Sequence, residues 1–159
     1  TFNWQMSPCN LKMAKAIWNG IPVVAVAVTE GVAKYSLKPG DHGVTYGGNP
    51  LACTAVEKVI EIFERENIVG HVNEVAPYLT KKLDELADEL DCVVQRKGKG
   101  LMQGIEITKP IAEINRRCVE GGLLVIQAEG NVIRFVPPLI VEKKHIDEMI
   151  DKLKQSLTE

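Results

Sequence analysis

The stretch GDHGVTYGGNPLAC, Gly40 to Cys53, governs how the rest of the chain is read, because a glycine-rich loop carrying a hydroxyl runs straight into a helix start. Pro50 has no N–H to leave unpaired in a first helical turn, and Asn49 before it is a good N-cap. Gly47 and Gly48 let the backbone approach a ligand closely, and Thr45 offers a hydroxyl. A helix N-terminus adds unpaired N–H groups at the positive end of its dipole. Two readings fit these features: a cradle for a phosphate or other anion, or a capped surface turn before an ordinary helix.

Working outward, the run Ile21 to Val28 (IPVVAVAV) is apolar without alternation, which predicts a strand buried on both faces in a helix-covered α/β sheet. Residues before it read as a connector, with Leu11 to Ile17 as a strand end or a single helical turn, stopped by Asn19 and Gly20. Thr29 to Ser36 predicts a short helix capped by Thr29. Beyond Pro50, Leu51, Ala52, Ala55, Val56, Val59, Ile60 and Phe63 recur every three to four residues and predict a helix. A second helical stripe runs from Ile68 to Leu90, with Pro77 either kinking it or marking where its regular part begins. CVVQ and LMQGIEI around RKGKG predict a hairpin over 92–108. A helix over 111–119, strands in LLVIQ and NVIRFV, and a C-terminal helix from Ile146 to Leu157 complete the pattern. The expected fold class is α/β with an α+β C-terminal lobe, divided into residues 1–66 and 67–159.

Composition narrows the function. The chain has 159 residues, 45% of them hydrophobic and 25% charged, with a formal net charge of -2, which is the profile of an ordinary globular protein. Its 19 basic residues are interspersed with 21 acidic ones, so no basic footprint for nucleic acid is expected. The longest apolar run is too short for a helix to cross a bilayer. Cys9, Cys53, Cys92 and Cys118 lack metal-ligand spacing and are expected to be free thiols in a reducing, cytoplasmic setting. His42, His71 and His145 are scattered, and no metal site is expected. The opening at Thr1, inside what reads as a structured segment, suggests a fragment or processed product.

Two side chains stand out chemically. Lys15 lies among Met13, Ala14 and Ile17. Burial there would lower its pKa and make it a nucleophilic amine suited to imine formation, whereas exposure would leave a solvated surface lysine. Arg134 sits within the strand-like NVIRFVPPL. Its planar fork suits either a structural carboxylate, with Glu106 as the candidate partner, or the carboxylate of an amino-acid substrate.

The segments MSPCNLKMAKAIWNGIPV (Met6 to Val23), PGDHGVTYGGNPLAC (Pro39 to Cys53), GKGLMQGIEI (Gly98 to Ile107) and NVIRFVPPLIV (Asn131 to Val141) occur in this order. In that order they resemble the class III pyridoxal-phosphate aminotransferases, and within that family the acetylornithine aminotransferases most. The resemblance covers essentially the whole chain and implies the C-terminal part of a fold-type-I transferase. Residues 1–66 would be a remnant of the large cofactor domain and residues 67–159 the small C-terminal domain. It implies that Lys15 forms the Schiff base with pyridoxal 5'-phosphate and moves the substrate proton. It implies that Thr45 binds the cofactor phosphate, reaching the neighbouring subunit of a homodimer, and that Arg134 grips the substrate carboxylate. The implied reaction, part of arginine biosynthesis, moves an amino group between N-acetylornithine and 2-oxoglutarate. Ornithine or 4-aminobutyrate as substrate is the alternative within the family, and a noncatalytic folding or dimerisation module is the alternative outside it.

The sequence departs from the family pattern around Lys15. Cys9 stands where Asp is usual, Lys12 where Thr or Ser is common, Trp18 where a small residue or glycine is common, and Val24 where glycine is common. These changes would narrow the pocket or repack its loop. Relatives are more than twice as long, and no segment of this sequence matches the family's acidic partner for the ring nitrogen or its ring-stacking aromatic. The 159 residues alone are therefore expected to be inactive.

Overall fold

The structure, a computed structural model, describes residues 11–13, 19–36, 38–41 and 43–158. The chain divides into two compact units, Thr1–Glu66 and Asn67–Glu159.

In the first unit, strand β1 (Leu11–Met13) pairs antiparallel with β2 (Ala25–Ala27) in a two-stranded sheet, with Lys12 opposite Val26. The expected strand buried on both faces is not what forms. Only three residues of the apolar run are strand, and Val24 and Val26 are 70% and 58% exposed. A two-stranded ribbon pairs this run on one edge only, and among the described residues nothing covers these side chains. Asn19 and Gly20 turn the chain ahead of it with φ of 45° and 95°, as the sequence predicts. Helix α1 (Glu30–Ser36) follows, and the Thr29 hydroxyl accepts from the Val32 N–H at 3.4 Å, the expected cap. Helix α2 (Pro50–Arg65) then starts at the predicted proline. Its apolar stripe is half-buried at Ala55, Val59, Ile60 and Phe63, while Leu51 is exposed.

The second unit is a four-stranded antiparallel sheet with helices against one face. Helix α3 (Ile68–Glu89) runs unbroken through Pro77. The proline occupies the exposed side of a helix whose opposite side buries Val75, Ala76, Leu79, Leu83 and Leu86, and that burial outweighs the lost backbone bond. Strands β3 (Val93–Lys99) and β4 (Met102–Ile107) form the predicted hairpin, with a bulge between Val93 and Gln95. At its turn Gly98 holds φ 120°, and a Cβ there would lie 2.2 Å from the Met102 carbonyl oxygen, so only glycine fits. Helix α4 (Ile111–Glu120) ends at Gly121 and at Gly122, whose φ is 75°. Strands β5 (Ile126–Ala128) and β6 (Val132–Phe135) and helix α5 (Lys143–Thr158) complete the sheet order β3-β4-β6-β5.

Side chains alternate along each strand, so the sheet has two chemically distinct faces. Ile105, Ile107, Ile133 and Phe135 point into a core shared with Leu79 and Leu83 of α3, Ile114 and Cys118 of α4, and Ile146, Leu153 and Leu157 of α5. Burying such a side chain fully is worth roughly 1.5–3 kcal/mol. The opposite face carries Gln95, Lys97, Gly104, Glu106 and Arg134, and the candidate chemistry of this unit lies there.

Candidate active site

The first candidate region surrounds the start of α2. The Gly47 N–H donates to the Val44 carbonyl at 3.3 Å and the Asn49 N–H to the Tyr46 carbonyl at 3.3 Å, folding residues 44–49 into successive turns. Gly48 has φ 70° with open space where a Cβ would be, whereas a Cβ at Gly47 would meet the Val44 side chain at 2.5 Å. Asn49 Oδ1 accepts from the Ala52 N–H at 3.2 Å, so the cap satisfies one of the first-turn donors. Thr45 is exposed just before the glycine pair. The loop thus presents a hydroxyl, unobstructed backbone and a positive helix end to solvent, which suits an incoming anion.

Lys15 lies outside the described residues, as do Cys9, Trp18 and His42, while Lys12 is placed by its backbone in β1. Thr45 belongs to the first unit and Arg134 to the second.

The second candidate region is the open face of the four-stranded sheet. One row of directly opposed residues runs Lys97, Gly104, Arg134, Ile126, and the next runs Gln95, Glu106, Val132, Ala128. Arg134 is exposed, and its neighbour on β4 is a glycine with no side chain to screen it. Gly104 is confined as well: a Cβ there would meet Val132 Cγ1 at 2.9 Å and the Ile133 carbonyl oxygen at 3.2 Å. Beside this row a largely apolar cavity of about 440 Å³ is lined by Arg134, Ile126, Val136, Leu124 and His145, among others.

Glu106 is not the partner of Arg134. Its Oε2 accepts from Lys97 Nζ at 2.7 Å and from Gln95 Nε2 at 2.7 Å, both on β3. The Lys97 ammonium, and then the Gln95 amide, hold the Glu106 carboxyl below the usual carboxylate range. Among the described residues the Arg134 guanidinium makes no hydrogen bond or ion pair, while its backbone pairs with β4 and β5.

Sequence reasoning passed over the residues that organise the hairpin. On the helix-covered face, Arg96 Nε donates to Asp84 at 2.5 Å and its Nη1 to Gln103 Oε1 at 3.0 Å. The buried Gln103 in turn donates to the Gly100 carbonyl at 2.7 Å and the Thr80 hydroxyl at 3.3 Å. This network ties the RKGKG turn to α3. Its one signal in the sequence was Gln103 in a strand otherwise read as half apolar, since a glutamine must be paired when buried. No group of His, Cys, Asp and Glu suited to a metal occurs among the described residues, and no helix among them is long and apolar enough to cross a membrane. His71 Nε2 instead donates to the Val141 carbonyl at 2.9 Å, and His145 Nδ1 accepts the Glu142 N–H at 3.2 Å at the start of α5.

Residues 2–157 match the family model described as aminotransferase class-III. The chain is 40% identical over 157 residues to the acetylornithine aminotransferase of Methanocaldococcus jannaschii, covering 99% of this chain and 39% of that protein. It is 39% identical over 155 residues to the acetylornithine aminotransferase of Aquifex aeolicus, covering 98% of this chain and 39% of that protein. Among solved structures, the acetylornithine aminotransferase from Elizabethkingia anophelis superposes with a TM-score of 0.86 at 26% identity, covering 97% of this chain and 40% of that one. The ornithine aminotransferase of Plasmodium yoelii does so with a TM-score of 0.88 at 25% identity, covering 98% and 43%. The chain therefore spans 39% of the length of the curated relatives first compared.

Proposed function

Since this chain belongs to the class-III aminotransferase family, we propose that it forms the C-terminal share of an aminotransferase moving an amino group between N-acetylornithine and 2-oxoglutarate. The observation that carries this reading is Arg134, an exposed guanidinium facing a glycine on an open sheet face, with no carboxylate among the described residues to neutralise it. Both reactants of such a transfer carry carboxylates, and a planar fork binds a carboxylate bidentately.

Class-III aminotransferases depend on pyridoxal phosphate. The described residues fit its phosphate end: an exposed Thr45 hydroxyl, open backbone at Gly48 and the capped N-terminus of α2. Thr45 and the α2 N–H groups would orient the phosphate, and in a homodimer they would serve the neighbouring subunit's site. Lys15 would anchor the group and carry a proton on Nζ to and from the substrate carbon. When bound, pyridoxal phosphate supplies the electron sink for the charge left at that carbon. Arg134 would hold the substrate by its carboxylate and so fix its orientation. The exposed Val24 and Val26 of the first unit, and its half-buried α2 stripe, are in keeping with further protein packed against it. We place the reaction in arginine biosynthesis in the cytoplasm. For the 159 residues alone we expect no turnover, because no segment of the sequence matches the family's ring-nitrogen acid.

A second reading within the family, an ornithine aminotransferase, is favoured by the Plasmodium yoelii structure. The 40% identity to an acetylornithine aminotransferase weighs against it. The test is to mix the chain with pyridoxal phosphate, reduce with borohydride and map the modified lysine by mass spectrometry. Attachment at Lys15, lost in Lys15→Ala, is expected. Equal labelling of several lysines in both proteins would overturn the assignment of Lys15 and favour a noncatalytic module.

A further inference from the structure

Among the described residues the Arg134 guanidinium has no carboxylate partner because of what happens on the other side of β4. Glu106 shares the open face with it and lies diagonally across the β4–β6 ladder, within reach of a long side chain, since Gly104 is opposite Arg134 and Glu106 opposite Val132. An arginine and a glutamate so placed would ordinarily pair. Instead the carboxylate crosses to β3, where Gln95 stands directly opposite it and Lys97 diagonally. Both donors land on the same oxygen, Oε2, each at 2.7 Å. The Lys97 and Glu106 side chains are 48% and 28% exposed, so the pair sits at the surface and is exchangeable.

We propose that Lys97 and Gln95 are positioning residues for Arg134: by holding Glu106 on the β3 side, they keep this internal carboxylate off the guanidinium and leave Arg134 available to a carboxylate ligand. The inference deepens the reading of Arg134 as a carboxylate site and rests on it for the identity of the ligand. Gly104, between Lys97 and Arg134 in the same row, has no side chain and so leaves the guanidinium uncovered on that side.

The experiment follows the Arg134 Nε–Hε signal by NMR in the full chain, assigned by its loss in Arg134→Lys, and then titrates with glutarate at low ionic strength. In Lys97→Ala the released Glu106 should reach Arg134, shifting Hε and slowing its exchange with water. Lys97→Arg, and Lys97→Ala combined with Glu106→Gln, should restore the native signal. Glutarate affinity should fall about two- to fivefold in Lys97→Ala and recover in the double variant, in keeping with a surface ion pair. A purely structural role for Lys97 would leave the Arg134 signal untouched, and that result overturns the proposal. Failure of the double variant to recover likewise overturns it, since Lys97 would then be touching the anion itself. If the Arg134 signal responds as expected while glutarate leaves it unperturbed in the native chain, control by Lys97 stands and the carboxylate reading of Arg134 falls.

Discussion

Tyr78 of α3 donates its hydroxyl proton to Asp147 of α5 at 2.6 Å, closing the two helices across residues far apart in the chain. Lys82 reaches the same carboxylate oxygen at 3.2 Å, and Lys82 and Lys143 lie 5.4 Å and 5.8 Å from the centre of the Tyr78 ring. The Tyr78 hydroxyl first holds the Asp147 carboxyl below its ordinary range, partly opposed by burial and helped by Lys82. A carboxylate with a depressed folded-state pKa adds stability at pH above its unfolded value of about 3.9, and that contribution is lost as pH falls through the folded value. Tyr78→Phe should therefore lower the urea midpoint at pH 7 and make the acid limb of the stability curve shallower. Identical pH profiles for the two proteins would show that the bond contributes nothing.

Pro77 gives a prediction of opposite sign. The helix continues through it although its ring nitrogen offers nothing to the carbonyl of Asn73, one turn earlier. Pro77→Ala returns that hydrogen bond at an exposed position without touching the core, at some cost from a freer unfolded chain. Equilibrium unfolding in urea should show a gain of about 1–2 kcal/mol. A loss would mean that the proline ring is needed where it lines the shallow groove with Thr80 and Asp84.

The described cysteines differ in burial and should differ in reactivity. Cys53 is exposed, Cys92 half-buried and Cys118 fully buried. Burial pushes the Cys118 thiol above its usual range, and the neighbouring Ser156 hydroxyl partly offsets this. Labelling with a disulfide reagent should modify Cys53 first and Cys92 next, and Cys118 only as fast as the unit unfolds. The sign of the linkage runs toward alkali. Below the unfolded thiol pKa of about 8.5, Cys118 is neutral in both states, and stability falls above that as the unfolded thiol ionises. Cys118→Ala should remove this alkaline component, read from unfolding at pH 7 and pH 10.

The helices were legible because each carried its own local signals. Asn49 and Pro50 start α2, Gly121 and Gly122 stop α4, and the apolar stripes of α3 and α5 bury as spaced. What misled was IPVVAVAV, since an unalternating apolar run says that a strand is β-prone but not whether anything packs on it. The partner of Glu106 was illegible for a different reason. Which residue stands opposite another depends on register, and here register turns on a bulge that no residue type announces. The resemblance pointed to Arg134 as a binding residue, but the means of keeping it unpaired emerged only when Lys97, Gly104 and Arg134 fell into one row.

That bulge makes Val94 a spare rung. Val93 opposes Ile107 and faces the core, Gln95 opposes Glu106 on the open face, and Val94 between them is 55% exposed. A chain lacking Val94 would run as a regular ladder with every other side chain on its present face. Removing a residue nearer the turn, such as Arg96, would exchange the faces of part of the strand on one side of the gap. Length variation in β3 is thus harmless at one position and ruinous a few residues later, so the charge pattern beside Arg134 tolerates an edit at Val94 alone.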